Sequence, residues 1–428
     1  MAERHALHDL IVIGAGAAGL WAAARAAELG RAVLLLEKTP RTGTKVLASG
    51  GTRCNLTTTL GPDEAARLFG ARGARFLGPA FRALPPRAVR ARFEELGVPT
   101  VEAPLEKVFP ASQRARDVRD ALERWALTGG VRIRLEAAVA GLEREGETWR
   151  VRLVDGGEER ATRLFVCPGG MSYARTGTTG DGYAWLRALG LPLVEPVPAL
   201  VPLVSPAVWV HELAGIALQE VNVRLDSSAG QELARRARPV VFTHHGVSGP
   251  GAMDLAEPVA REEEDARREG RAPHPLALVL DLLPTHERAA LRARLLEWAG
   301  LPGAPLLAGT LASAWQLPRR VLERVLIQAE LAPELRVNAL SRPGRHALVE
   351  ALKGLRVPVN ATRGFDQAEV TAGGLALAAL DARTMRVKGV PGLWCFGEVI
   401  DLAGPIGGLN FQAAFACAEL AARSLGSR

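Results

Sequence analysis

"HDLIVIGAGAAGLWAAARAAELGRAVLLLEK", His8 to Lys38, is the stretch that decides the fold. The apolar residues Leu10 to Ile13 predict a buried strand, and Gly14, Gly16 and Gly19 follow it as G-x-G-x-x-G. Ala17 to Leu29 reads as an alanine-rich helix stopped by Gly30, and Val33 to Leu36 as a second strand with Glu37 at its end. Together these parts make a βαβ unit. Gly14 permits the tight turn, Gly16 leaves room for a pyrophosphate against the backbone, and Gly19 lets helix and strand pack closely. The helix N-terminus offers unpaired N–H groups and a partial positive charge to phosphates. Glu37 is placed to accept hydrogen bonds from ribose hydroxyls and disfavours a 2′-phosphate. The unit binds a dinucleotide, and on its own it accommodates FAD and NAD equally.

The chain has 428 residues, 48% hydrophobic and 23% charged, enough for two or more domains with substantial cores. No apolar run approaches the roughly 18–20 residues of a membrane span; "PLALVLDLL" is cut by Asp281. The glycine-punctuated N-terminus reads as a strand and not as a signal peptide. Cys54, Cys167, Cys395 and Cys417 are scattered without a CxxC pair, so neither zinc nor a disulfide framework is expected. A cytoplasmic protein without membrane contact is the simplest reading. Net charge is +7, and all but five of the cationic residues are arginine. Arginines recur at helical spacing over 72–92 and 114–134, as a solvated helix face or as a surface for an anionic partner such as RNA.

After Glu37 comes "KTPRTGTKVLASGGTRCNLT", a Gly/Thr/Ser-rich segment suited to wrapping the second half of a cofactor. Alternation in Val131–Leu135 and Trp149–Val154 predicts strands, and "RLFVCPGG" predicts a strand ending in a Pro-Gly-Gly turn. "VPGLWCFGEVID" reads as a buried strand running into Gly397 and Glu398. "GPIGGLNFQAAFACAELAARSL" then reads as a glycine-rich loop and an amphipathic helix from about Asn410, whose N-terminus forms a second anion-stabilising site. In the middle, "LPLVEPVPALVPLVSP" is extended, as at a domain crossing. "LQEVNVRLD" and "RPVVFTHHG" alternate as strands, and His286 to Leu352 is helical. "REEEDARREGRAPHP", Arg261 to Pro275, has no apolar face and is expected to be an exposed loop.

"GGTRCN", "GGMSYARTGTTGDGYAWLRALG", "FTHHGVSGP", "AEVTAGGL" and "GLWCFGEVIDLAGPIGGLNFQAAFA" resemble, in order, the signatures of one bacterial flavoprotein family, the BaiN-like and aminoacetone-oxidase-like FAD proteins. The resemblance runs from about Leu10 to Leu425. It implies an α/β fold: a Rossmann-like FAD-binding domain built from both chain ends, 1–190 and 368–428. The domain inserted between them, 191–367, is expected to hold a small β-barrel plus a helical part. Thr52 stands where the family more often has a third glycine, Cys167-Pro168 replaces its Ala-Thr, and Leu409 replaces a frequent Tyr.

The resemblance and the βαβ reading together name the expected cofactor contacts. Gly14, Gly16, Ala17, Gly19, Glu37 and Lys38 belong to the first unit. Thr44, Lys45, Ser49, Gly50, Gly51, Arg53, Cys54 and Asn55 form a cradle beside the pyrophosphate and isoalloxazine. Val139, Pro168, Gly169, Gly397, Glu398, Asp401, Gly408, Leu409, Asn410 and Phe411 complete the set. Glu398 and Asp401 suit ribityl or phosphate-linked groups, or act as caps. Cys54 is either a redox partner of the flavin or a packed thiol, and with no neighbouring cysteine the packed thiol is the better reading. The helix N-terminus at Asn410 is expected to stabilise the negative charge of reduced flavin. His244 is a proton donor to substrate or part of a turn, and Ser248 a cap for a helix opening at Pro250. "RTGTTGDG" is a loop facing cofactor or substrate. No Ser/His/Asp triad or metal-ligand cluster is recognisable.

An FAD-dependent oxidoreductase is therefore expected. One form takes hydride from NADPH or NADH and reduces a conjugated C=C of a small-molecule substrate. No second GxGxxG follows a strand, so the nicotinamide would visit the flavin transiently. The alternatives are a small-amine oxidase using oxygen, flavin-dependent reduction of uridine in RNA, and a flavoprotein without turnover. The oligomeric state is left open.

Overall fold

The computed structural model describes residues 7–300 and 303–426. The chain forms two compact units, one from the residues up to Pro198 together with those from Ala368 onward, the other from Ala199 to Gln367.

The first unit is built on a five-stranded sheet of β1 (Leu10–Ile13), β2 (Val33–Leu36), β3 (Arg132–Arg134), β4 (Leu164–Val166) and β5 (Leu393–Cys395). The strand order is β5-β4-β1-β2-β3, with every neighbouring pair parallel. All residues of β1, β2, β4 and β5 are buried, as a parallel sheet covered on both faces requires. From β1 the chain passes through helix α1 (Ala17–Glu28) to β2 and on to β3, while β4 lies on the other side of β1. The order thus reverses between β1 and β4, and ligands of open α/β sheets bind at such a switch point, beyond the carboxyl ends of the strands. There the two strand-end turns touch. A Cβ on Gly14, whose φ is +100°, would lie 2.6 Å from the carbonyl oxygen of Cys167 and 2.8 Å from Cα of Pro168.

Helix α2 (Thr44–Thr52) follows β2, and α3 (Leu409–Arg423) closes the chain. The predicted amphipathic helix is in fact buried nearly all round. It packs against both α1 and the helix Gly70–Ala83, which leaves it little solvent face. Trp21 of α1 packs against Phe415 of α3 with ring centroids 4.9 Å apart and planes tilted by 36°. Its indole Nε1 donates to Glu419 Oε2 at 2.9 Å, while Arg25 Nε donates to both oxygens of Glu419, at 3.1 and 3.0 Å. This carboxylate is only 2% exposed, and its partners offset the cost of burying it.

The second unit holds two antiparallel sheets. One joins Ala217–Leu218, Val240–Thr243, Gly246–Ser248, Leu203–Val204 and Ala361–Thr362; the other joins Glu232–Ala237, Asn222–Asp226, Leu276–Asp281 and Leu355–Val359. Helices cover Arg288–Ala299, Leu307–Trp315, Arg319–Gln328 and Arg342–Leu352. The expected loop at Arg261–Pro275 is corrected: residues Ala256–Glu269 are a helix. Its apolar stripe (Ala256, Val259, Ala260, Ala266) starts upstream of the charge run, and pairs such as Glu264–Arg267 and Asp265–Arg268 support the exposed face. Gly249, not Ser248, caps the short helix Pro250–Met253; the Ser248 hydroxyl points to Met253 Sδ at 3.5 Å. Among the described residues no helix is long and apolar enough to cross a membrane.

Glu419→Ala would strand the Trp21 and Arg25 donors. It is expected to destabilise the first unit by about 3 kcal/mol, read as a lower urea midpoint; an unchanged midpoint would show that this cluster contributes nothing net.

Candidate active site

The three glycines after β1 do different things. Gly14 and Gly19 are packing positions: a Cβ on Gly19 would sit 1.8 Å from the Gly14 carbonyl oxygen. A Cβ on Gly16 would meet nothing within 4 Å. Gly16 is also the N-cap of α1, and no side chain caps the helix there. First-turn N–H groups beside open space are the arrangement that receives a pyrophosphate. Beyond β2, Glu37 Oε2 accepts from Ala15 N at 2.8 Å, and Oε1 accepts from Thr39 N at 2.9 Å and Thr39 Oγ1 at 2.8 Å. The carboxylate is thereby held fixed, and Oε2, with a single donor, keeps capacity for a further one. Lys38 reaches to the 175–182 loop, donating to Thr179 Oγ1 at 2.6 Å and Asp181 Oδ2 at 2.5 Å. Val139 is buried at a β-bulge opening the strand Val139–Glu145.

Within the Gly/Thr/Ser-rich stretch, helix α2 begins at Thr44. Its N-cap Gly43 has φ +60° and donates to the Ala15 carbonyl at 2.8 Å. Thr44 Oγ1 donates to the Thr176 carbonyl at 2.5 Å. Lys45 Nζ lies 2.5 Å from Glu398 Oε2 and 2.7 Å from Ser172 Oγ. Ser172 Oγ donates to Glu398 Oε1 at 2.6 Å, and Thr371 N donates to the same oxygen at 3.0 Å. Thr371 Oγ1 in turn accepts from Met171 N and Ser172 N at 2.8 and 3.1 Å. Four segments far apart in sequence meet in this cluster. Glu398 is its hub, with both oxygens engaged by the chain itself. Glu398 is half-buried, whereas Asp401 is buried and pairs with Arg72.

The helix breaks at Ser49, and a run of left-handed residues follows: Gly50 (φ +55°), Gly51 (+65°), Thr52 (+67°) and Cys54 (+60°). Thr52 and Cys54 hold a conformation that costs a non-glycine residue of order 1–3 kcal/mol. Such strain persists because the neighbours fix it. Cys54 N donates to the Ser49 carbonyl at 3.1 Å, and Arg53 lies over the Phe109 ring at 4.7 Å. Asn55 Oδ1 accepts from Val108 N at 3.1 Å. This segment also presses on the start of α3: a Cβ on Gly408 would lie 2.1 Å from the Thr57 carbonyl oxygen and 2.9 Å from Asn55 Oδ1. Thr57 Oγ1 donates to Gln412 Oε1 at 2.6 Å, tightening the same junction.

Gly408 caps α3 with φ +79° and no side-chain capping bond, so first-turn N–H groups are again available. The Asn410 side chain is spent locally, accepting from Gly404 N at 2.8 Å and donating to Gly404 O at 2.9 Å. It shapes the glycine-rich loop. Leu409 is buried, and Phe411 stacks on Phe415. Gly169 and Pro168 continue from β4, with Gly169 against Thr178, while Gly397 faces Ala18. His244 sits at the exposed tip of the hairpin Val240–Thr243/Gly246–Ser248 in the second unit and is not among the residues the first unit gathers. Ser172, Thr371, Gln412 and Arg72 are site-building residues beyond those expected; the first three lie in the quoted motifs "GGMSYARTG", "AEVTAGGL" and "GLNFQ", and Arg72 opens the arginine-rich run 72–92.

Cys54 is completely buried and free, and burial pushes its thiol up to about 12. Cys417 is likewise pushed up to about 12, and Cys167 and Cys395 are also raised by burial. Burial thus opposes thiolate formation at all four, the environment of packed and not of redox-active cysteines.

This chain belongs to the HI0933-like family. The family described as "HI0933-like protein Rossmann domain" matches residues 8–424. The chain is 31% identical over 429 residues to a ribosomal RNA dihydrouridine synthase of Escherichia coli (strain K12), covering 97% of this chain and 99% of that protein. It is 28% identical to a 3-dehydro-bile acid delta(4,6)-reductase of Clostridium scindens, covering 97% and 98%. In fold it is similar to the 3-ketosteroid delta1-dehydrogenase of Sterolibacterium denitrificans, with a TM-score of 0.52 and 16% identity over 97% of this chain and 99% of that one. The chain is an FAD-dependent oxidoreductase. Its residues fit the cofactor: open space at Gly16, two helix N-termini without side-chain caps, and a fixed carboxylate beyond β2.

Two expectations follow. Gly16→Ala should leave the apoprotein as stable as the parent and weaken FAD binding. Gly14→Ala should instead destabilise the apoprotein by about 2–4 kcal/mol through overlap with Cys167-Pro168. Equal effects of the two on apoprotein stability would contradict the assignment of open space to Gly16. Second, a disulfide reagent at about pH 8 should label no thiol in the folded protein and all four after unfolding; fast labelling of Cys54 would show that it is accessible and ionised.

Proposed function

We propose that this flavoprotein saturates a C=C bond conjugated to a carbonyl, using hydride from NADPH or NADH, and that its substrate is uridine within ribosomal RNA. The observation that carries this reading is the end-to-end similarity to a ribosomal RNA dihydrouridine synthase. The bile acid reductase among the relatives points the same way, since both names describe saturation of a ring double bond. The reaction balances as uridine + NAD(P)H + H⁺ giving dihydrouridine + NAD(P)⁺. Hydride goes to C6 and a proton to C5, because the C4 carbonyl makes C6 electron-poor.

FAD, when bound, would supply the hydride chemistry. The chain binds and polarises. The first turn of α1 and the space at Gly16 would receive the pyrophosphate, and Glu37 a ribose. The first turn of α3 offers N–H groups and a positive dipole end where negative charge develops on two-electron reduction. Lys45, Glu398, Ser172 and Thr371 keep the cradle in register, so these elements are preorganised and need no rearrangement during turnover. A second reading, a small enone as substrate, is favoured by the bile acid reductase similarity.

The test is anaerobic incubation of the holoenzyme with NADPH or NADH and in-vitro-transcribed ribosomal RNA, followed by nucleoside mass spectrometry. Dihydrouridine formed only with nucleotide present is the expected result. Its absence, with nucleotide oxidation driven instead by a 3-keto-Δ4 steroid, would favour the second reading.

A further inference from the structure

Between Glu64 and Glu94 the chain carries seven arginines and no acidic residue. Three of the seven are occupied within the fold. Arg72 pairs with Asp401. Arg90 Nη1 bonds Glu102 at 2.5 Å. Arg92 lies over the Trp125 ring at 4.8 Å and within 3.4 Å of Glu28 and Glu95. The other four, Arg67, Arg75, Arg82 and Arg87, are exposed, and none has a carboxylate partner among the described residues. By contrast, on the strands Thr148–Leu153 and Glu158–Ala161, Arg150, Arg152 and Arg160 are matched to Glu143, Glu145 or Glu158.

We infer that the face carrying Arg67, Arg75, Arg82 and Arg87 is the surface on which the phosphate backbone of a structured RNA docks. The inference rests on the uridine reading and adds to it the part of the chain that holds the polymer. A guanidinium matches phosphate oxygens in a fork and is more weakly hydrated than an ammonium. The four come from three consecutive helices and not from one turn. Arg75 and Arg82, seven residues apart, share one face of the helix Gly70–Ala83 about 10 Å apart along its axis. Arg67 ends the preceding helix Pro62–Arg67, and Arg87 opens the next, Pro86–Glu95. A series of charges along consecutive helices suits a polymer of phosphates.

The surface is rigidly tied to the flavin site. A Cβ on Gly73 would touch Leu402 Cδ1 at 3.4 Å, and a Cβ on Gly404 would lie 2.5 Å from the Phe69 ring. Arg72 reaches Asp401 from the same helix. The loop from β5 into α3 is therefore clamped by the helix that presents Arg75 and Arg82.

The test uses the FAD-loaded enzyme, a transcribed ribosomal RNA fragment as probe, and the variant Arg75→Gln/Arg82→Gln. The control, Arg342→Gln/Arg383→Gln, removes the same charge from exposed sites elsewhere. Binding is measured from 50 to 200 mM salt, and FAD content and dihydrouridine formation are measured alongside. The expected result is roughly tenfold or greater weakening for the first variant only, with a slope of log affinity against log salt shallower by about 2 and unchanged FAD content. Equal loss in both variants, or none in either, overturns the docking surface, whatever becomes of the uridine reading. So does failure of the parent to bind RNA at 50 mM salt. Selective loss of binding, with no dihydrouridine from the parent, supports the surface and removes the uridine reading.

Discussion

Gly14 and the Cys167-Pro168 peptide approach so closely that no side chain fits between them. The rest of the first unit depends on that contact. It brings the turn after β1 against the turn after β4 at the point where the strand order reverses, and there a crevice opens beyond the sheet. Because Gly14 fills the contact with backbone alone, Gly16 can face open space and α1 can present its first turn. A second contact of the same kind, Gly408 against Thr57 and Asn55, sets the start of α3 on the segment that follows α2. Both helix N-termini available to an anionic cofactor are thus positioned by glycines whose missing side chains the structure uses.

Polar groups complete what these contacts begin. Glu398 gathers Lys45, Ser172 and Thr371, which lie up to 353 residues from it in the chain. Buried polar networks specify one arrangement when all their members are satisfied, and become costly when one is not. Here the network spans the N-terminal cradle, the turn after β4 and the C-terminal segment. Correct assembly of the two chain ends is the condition for its satisfaction, which couples cofactor binding to the fold of the whole unit. Glu419, holding α3 to α1 through Trp21 and Arg25, plays the matching part on the covered side of the sheet.

What could be read from the sequence was local. Leu10–Ile13 and Val33–Leu36 are strands with the expected bounds because their apolar runs are short and closed by glycine or charge. α1 was visible for the same reason. α3 begins one residue before Asn410, yet its burial on nearly all sides could not be read, since that depends on the helix Gly70–Ala83 packing against it. The helix Ala256–Glu269 was hidden because most of its apolar stripe, Ala256, Val259 and Ala260, lies ahead of the charge run that drew attention. The Glu398 cluster was half legible: Lys45 and Glu398 stood out as charges near glycine turns. Ser172 and Thr371 did not, because a hydroxyl has no role until a distant chain segment meets it. Asn410 shows the reverse, a polar residue at a telling position whose amide is used to close its own loop.

The account rests on a flavin held between these chain ends and reduced by a visiting nicotinamide. Anaerobic titration of the FAD-loaded protein with NADPH and then NADH tests it most directly, with the oxidised-flavin absorbance band as readout. The account predicts one FAD per chain, bleached fully by one equivalent of at least one nucleotide, with colour restored on adding ribosomal RNA. A flavin that stays oxidised with both nucleotides would contradict it.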